Sequence, residues 1–237
     1  MRTAKKIWIL SGEASGDVYG AKLARELRLI AAERGETIEI AGMGGPEMRK
    51  ADIDIRVDST ELGVVGVIEV LKHIFTFIGI FFRLVGQAKR ERPGAVVLID
   101  YPGFNLLFAL MMYRHRIPVI WYVCPHLWVW GKWRLPVLAK ICTKMLVIFP
   151  FETEVFAHTK LRTEFVGHPL IDIVADRRIP GVERNPEDFL LLPGSRTMEI
   201  NFLLYPMLDT VTELAKRHPE LKFHLSAPRE KIARLCR

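Results

Sequence analysis

The stretch Lys6-Ile7-Trp8-Ile9-Leu10-Ser11-Gly12-Glu13-Ala14-Ser15-Gly16-Asp17 decides the fold. Its first five residues are a short apolar run that reads as a strand. Residues 11–17 are small and polar and read as a loop, and Val18–Glu33 then shows helical spacing through Leu23, Leu27 and Ile30. The same order recurs along the chain. Ile38–Gly42 reads as a second strand, followed by the turn Gly42-Met43-Gly44-Gly45-Pro46. Ala95–Ile99 is a third and ends at Asp100. Val119–Val123 ends before Cys124-Pro125, and Met145–Ile148 ends before Phe149-Pro150. Continuous apolar strands, each followed by a loop and a helix, predict an α/β fold with a parallel sheet covered on both faces.

The character changes near the end of a first domain, 1–172. Residues 173–188 are polar with two prolines and read as a linker. A second unit, 189–237, starts with the strand Phe189–Leu192 and the turn Pro193-Gly194-Ser195-Arg196. A helix over Ile200–Arg217 and a strand over Leu221–Ser226 follow. Two strands and one helix leave a sheet face and a strand edge uncovered, so this unit is expected to be an incomplete start of a second domain.

Composition narrows the function classes. The 237 residues carry 34 Lys+Arg against 27 Asp+Glu, a formal charge of +7, and half of them are apolar. That excludes a disordered or fibrous chain. Three scattered cysteines, Cys124, Cys142 and Cys236, form neither a disulfide framework nor a zinc site and point to a reducing compartment. The apolar run Ile7–Leu10 is too short for a secretory signal, and no charge-free window of about 18–20 apolar residues exists for a spanning helix. The mean hydropathy of +0.16 with a pI near 9.4 leaves two readings open: a protein that visits an anionic membrane surface, or a well-cored enzyme with a basic surface.

In an open α/β sheet, ligands bind at the carboxyl ends of the strands, and four polar constellations fall there. In the Ser11–Asp17 loop, two glycines let backbone N–H groups approach an anion or a sugar, with Ser15 or Asp17 as helix cap. Asp17 reads as that cap. Glu13, a carboxylate at a strand end with little capping use, reads as functional. Asp100 ends an apolar strand, an environment that raises a carboxyl pKa and suits a general base. His126 lies among Trp128, Val129 and Trp130, fit to line a sugar or acyl pocket or equally a packed loop. Neighbouring Cys124 reads as an inert buried thiol. Gly194, Ser195 and Arg196, with Glu199 three residues on, offer N–H groups, a hydroxyl and a guanidinium at a helix start, which suits a diphosphate.

Residues 64–87 read as a helix with an unusually wide apolar arc. Glu69, Lys72, His73, Thr76, Arg83 and Gln87 share one polar stripe. Phe75, Phe77, Ile78, Phe81 and Phe82 lie outside it. Such an arc is expected at a domain or protomer contact or in a bilayer interface.

Taken in series, the motifs SGEASGD (11–17), GMGGPEM (42–48), ELGVVGVIEVL (61–71), IDYPGFN (99–105), YVCPHLWVW (122–130), FPFE (149–152), VGHPL (166–170) and LLPGSR with Glu199 (191–199) resemble the lipid-A-disaccharide synthase family in order and over essentially the whole chain. Cys124 stands where that pattern leads us to expect a small residue such as Ser. The resemblance implies a GT-B fold of two Rossmann-like domains. It implies an inverting, metal-independent transfer of diacylglucosamine from UDP to the 6-hydroxyl of an acyl-sugar phosphate, without a cofactor. Asp100 would be the base and Glu13 a second acid/base or acceptor contact. Ser195, Arg196, Gly194 and Glu199 would hold the donor diphosphate. Ser11, Ser15, Asn105 and His126 would line the acceptor pocket.

The implied partners are UDP-diacylglucosamine, the acyl-sugar phosphate and an anionic membrane surface met through Phe75, Phe77, Ile78, Phe81 and Phe82. No nucleic acid is expected. The implied location is the cytoplasmic face of a Gram-negative inner membrane. Family members continue past the point where this chain stops. A fragment, half of a split enzyme or a truncated product is therefore expected, inactive alone and weak toward UDP-sugar, with a homodimer or a complementing C-terminal segment as partners. A non-catalytic lipid- or nucleotide-binding fragment, an epimerase and a peptidoglycan glycosyltransferase remain as alternatives.

Overall fold

β-Strand β1, Lys5–Ser11, alternates into two cores: Trp8 and Leu10 face one side of a parallel sheet and Ile9 the other. A computed structural model describes residues 5–59, 74–127, 129, 131–181, 183–194, 197–227 and 233–234. The chain divides into two compact units, 1–176 and 177–237.

In the first unit, β1 is followed by α1 (Ala14–Glu33), β2 (Ile38–Gly44), α2 (Pro46–Lys50) and β3 (Asp54–Asp58). After α3 (Ile74–Glu91) come β4 (Ala95–Ile99), α4 (Pro102–Arg114), β5 (Val119–Tyr122), a short 3₁₀ turn at Lys132–Arg134 and α5 (Leu135–Ile141). The unit continues with β6 (Lys144–Val147), α6 (Glu152–Val155), β7 (Arg162–Phe165) and α7 (Pro169–Arg177). Seven parallel strands lie in the order β3-β2-β1-β4-β5-β6-β7. The order reverses between β1 and β4, and the crevice at that switch point is where ligands of such sheets bind.

One face of the sheet is covered by α3, α4 and α5. Leu84, Val85 and Ala88 of α3, Phe108, Ala109 and Met112 of α4, and Leu138 and Ile141 of α5 pack on Trp8, Leu98 and Trp121. The apolar residues of α3 and α4 recur at three- and four-residue spacing, the period of one helix face. The other face carries a smaller core in which Ala21 and Ala24 of α1 and Met48 of α2 meet Ile9, Ile40 and Val97.

Three expectations are corrected. The first helix takes in Ala14–Asp17, so only Gly12 and Glu13 remain between it and β1. Asp17 does not cap its own helix; from within α1 its buried carboxylate accepts hydrogen bonds from the N–H groups of Gly45, Glu47 and Met48 at 2.7, 2.9 and 3.1 Å, and so caps α2. The expected linker 173–188 begins inside α7, where Ile173 is buried. Among the described residues, no helix is long and apolar enough to cross a membrane.

The second unit is a βαβ unit in which β8 (Asp188–Leu191) pairs in parallel with β9 (Lys222–Leu225) and α8 (Thr197–Arg217) connects them. Its core is Ile200 and Leu204, with Leu225 and Ala227 packed against them. Leu190, Leu192, Phe202 and Tyr205 are exposed.

Candidate functional site at the sheet switch point

β1 and β4 end side by side, with Ser11 opposite Ile99 in register. Ser11 is 0% exposed, and its hydroxyl donates to the Glu13 carbonyl at 3.0 Å. That carbonyl also accepts the first helical N–H, from Asp17, at 2.9 Å. Two glycines make the approach possible. A side chain at Gly12 would collide with the Tyr101 ring, and one at Gly16 with the Ser11 hydroxyl and Ile99. Glu13 therefore sits exposed at the N-cap position of α1, directly above the strand ends.

Asp100 follows β4 with φ 45° and Tyr101 with φ 48°, two successive left-handed residues without a glycine. Strain of this kind persists only where surrounding contacts fix it. The Asp100 N–H donates to the Tyr122 carbonyl at 3.1 Å. The Asn105 amide donates to the carbonyls of Asp100 at 2.7 Å and Ile99 at 3.3 Å. Burial pushes the Asp100 carboxyl above its ordinary pKa, and the nearby Glu13 charge pushes the same way. The Tyr101 backbone N–H and the charge of His126 pull against them. Burial and the Glu13 charge also raise the Tyr101 phenol, and burial and Asp100 raise Tyr19.

His126 is exposed in the loop after β5. Beside it, the Cys124 thiol is buried, its sulfur 3.2 Å from the Pro125 carbonyl, and desolvation pushes it far above the ordinary thiol value. Cys142 is likewise pushed up to about 12 by burial. Neither supplies a thiolate nucleophile at neutral pH.

Asp100, Glu13 and His126 thus gather at one point, and two expected pocket residues do not line it. Ser11 and Asn105 are both fully buried and spend their donors on backbone carbonyls, so they brace the strand ends instead of meeting a sugar. Ser15 is exposed in the first turn of α1. In the second unit, Gly194 has φ 115°, and a side chain there would strike Glu199. Ser195 and Arg196 lie outside the described residues, as do residues 60–73 and the side chains of 74–76, Phe75 among them.

The remaining apolar residues of α3 split in two. Phe77 and Phe81 pack on the core, the Phe81 ring meeting Phe104 edge-on at 5.4 Å and Phe108 at 6.3 Å. Ile78 and Phe82 are 45% and 61% exposed.

Sequence reasoning assigned no role to Glu152. It is 1% exposed at the start of α6 and accepts from the N–H groups of Ile148 at 3.1 Å and Phe149 at 2.9 Å. Burial raises its pKa against those two donors and the charges of His126 and His168. The quoted motifs FPFE and VGHPL were the available signal. Among the described residues, no group of three or more His, Cys, Asp or Glu side chains is arranged to hold a metal ion.

The chain matches the family model of lipid-A-disaccharide synthetase over residues 7–236. It is 38% identical over 231 residues to the lipid-A-disaccharide synthase of Geobacter sulfurreducens, covering 94% of this chain and 59% of that protein. It is 38% identical over 216 residues to the enzyme of the same name from Koribacter versatilis, covering 88% and 56%. The chain therefore spans under three fifths of the length of these relatives. Among solved structures, the Neisseria meningitidis UDP-GlcNAc 2-epimerase bound to UDP-GlcNAc is similar with a TM-score of 0.61 at 13% identity, covering 98% of this chain and 68% of that one. The S. aureus MnaA–UDP co-structure has a TM-score of 0.65 at 13% identity, covering 98% and 64%. At that identity the likeness is one of fold.

Proposed function

The chain belongs to the lipid-A-disaccharide synthetase family, and on that premise we propose that it forms the acceptor side of a glycosyltransferase of lipid A synthesis. The reaction moves diacylglucosamine from UDP to the 6-hydroxyl of a diacylglucosamine 1-phosphate. Asp100 takes the hydroxyl proton and the freed oxygen attacks the anomeric carbon. The bond to UDP breaks with inversion, and UDP leaves with the electron pair. The observation that carries this reading is the Asp100 carboxyl. It stands at the switch point on a backbone held by the Asn105 amide and the Tyr122 carbonyl, with its proton affinity raised by burial and by Glu13. A base with raised pKa holds the abstracted proton better than an ordinary carboxylate.

Glu13 serves as the second acid/base, and His126 lies beside the acceptor. Gly194, Ser195, Arg196 and Glu199 hold the donor diphosphate, where a guanidinium and helix N–H groups offset the charge of departing UDP. Ile78 and Phe82 meet the membrane that carries both acylated substrates, with basic side chains such as Arg83 beside them. The test supplies the remaining span of the relatives as a second polypeptide, adds both lipid substrates and follows the disaccharide by mass spectrometry. Asp100→Ala lowers the rate by about 10²–10⁴-fold, the usual worth of a general base. Near-native turnover of that variant would remove Asp100 from the mechanism.

A further inference from the structure

The two faces of β5 are covered unequally. Val119 and Trp121 are fully buried in the larger core, whereas Ile120 and Tyr122, which point the opposite way, are half-buried. On that side, α1 and α7 are tied by an ion pair between Lys22 and Asp176. Between the helices runs a groove of about 640 Å³. That volume falls in the range of about 300–1,000 Å³ occupied by small-molecule sites.

The apolar lining of the groove is Tyr19, Tyr122, Leu23, Val166, Pro169 and Ile171. The two phenol rings stand with centroids 6.4 Å apart. The charged lining is Lys22 and Arg25 against Glu26, Asp172 and Asp176. The Lys22–Asp176 pair cancels, which leaves Arg25 and the His168 ring against Glu26 and Asp172, so the groove has no excess of fixed positive charge to draw a phosphate. Its inner end adjoins the reactive carboxyl, because the Tyr122 carbonyl accepts the Asp100 N–H and the Tyr19 phenol senses the Asp100 charge. A ligand with a hydroxyl at Asp100 and an apolar limb has this groove directly beside it.

We propose that the groove between α1 and α7 holds an acyl chain of the acceptor lipid while the acceptor sugar lies at Asp100. The inference rests on the acceptor reading given above. The phenol faces and the Leu23, Val166 and Ile171 side chains remove methylenes from water, and an unacylated sugar phosphate leaves the groove empty.

The test is calorimetric titration of the 237-residue chain with two probes, N-decanoyl-glucosamine 1-phosphate below its micelle concentration and glucosamine 1-phosphate. The decanoyl probe binds at least about tenfold more tightly, since most of its chain is desolvated. Leu23→Trp, which fills the groove, and Ile171→Glu, which puts a charge in it at a position 68% exposed, each abolish that advantage. Both leave glucosamine 1-phosphate binding unchanged. Ile171→Glu keeps the test sound if the larger ring at position 23 disturbs folding. In methyl NMR spectra, the Leu23 and Val166 signals shift with the decanoyl probe alone. If the chain binds both probes equally, or if the variants keep the advantage, the groove is not the acyl site and the acceptor reading stands. If neither probe binds, the acceptor reading falls and this inference with it.

Discussion

Asp17 is an acid buried inside a helix, and it is tolerated because three backbone N–H groups point at it. Asp17→Ala strands those donors and is expected to cost about 1.5–3 kcal/mol, the range for hydrogen bonds to a charged group. A urea midpoint shifted by an amount equivalent to less than ~0.5 kcal/mol would show that water replaces the carboxylate. Asp100 carries the opposite balance. Its folded pKa is raised, so its contribution to stability is fully present below the unfolded carboxylate value and is lost as pH rises through the folded one. Asp100→Asn is therefore expected to melt higher than the parent at neutral pH and to lose that advantage in acid. An equal melting difference at both pH values would contradict the raised pKa. The position of Glu13 and Asp100 at the ends of β1 and β4 was legible in the sequence, because each directly follows or closely trails an apolar strand run. What each polar side chain does there was less so. Local spacing puts Asp17 near a helix start, but only the chain's return through Gly45 shows that the helix it caps is α2. Nothing local in the sequence distinguishes Ser11 and Asn105 from sugar contacts; only the fold turns their donors back onto carbonyls.

In the first unit, the strands that could be read are those buried on both faces. β1, β2, β4, β5 and β6 each contain an apolar run, because a central parallel strand meets helices on either side. β3 (DIRVD) and β7 (RTEF) were missed because they are the two edges of the sheet, where polar and charged residues are admissible. Helix α3 shows a related limit. A wide apolar arc identifies an amphipathic helix but does not say which residues meet the core. The structure assigns Phe77 and Phe81 inward and leaves Ile78 and Phe82 exposed. The Ile78→Ser/Phe82→Ser double variant is expected to keep fold stability within about 0.5 kcal/mol per site, as surface changes do. In co-sedimentation with anionic vesicles it should lose most of its binding. Phe81→Ser should instead cost roughly 2 kcal/mol or more of stability through lost ring packing. Undiminished sedimentation of the double variant would mean that these two side chains do not enter the interface.

At the scale of the molecule, the two units differ in what holds them. The first buries Trp8, Trp121, Phe108 and Phe156 completely, in a sheet whose central strands are paired on both sides. The second rests on Ile200 and Leu204 and on one strand pair, each strand of which has an open edge among the described residues. Its one helix buries only these two side chains among the described residues, and apolar side chains such as Leu190 and Phe202 stand in water. Local opening follows buried contact density, so the small unit is expected to open far more often than the large one. In hydrogen exchange, amides of Leu190, Leu191 and His224 should exchange at least about 100-fold faster than those of Ile9, Leu10 and Leu98. Adding urea in increments below the main transition should erase protection in β8 and β9 first, while β1 and β4 stay protected until the sheet unfolds as a whole. Equal protection of the two strand sets would show that the small unit draws its stability from contacts beyond its own core.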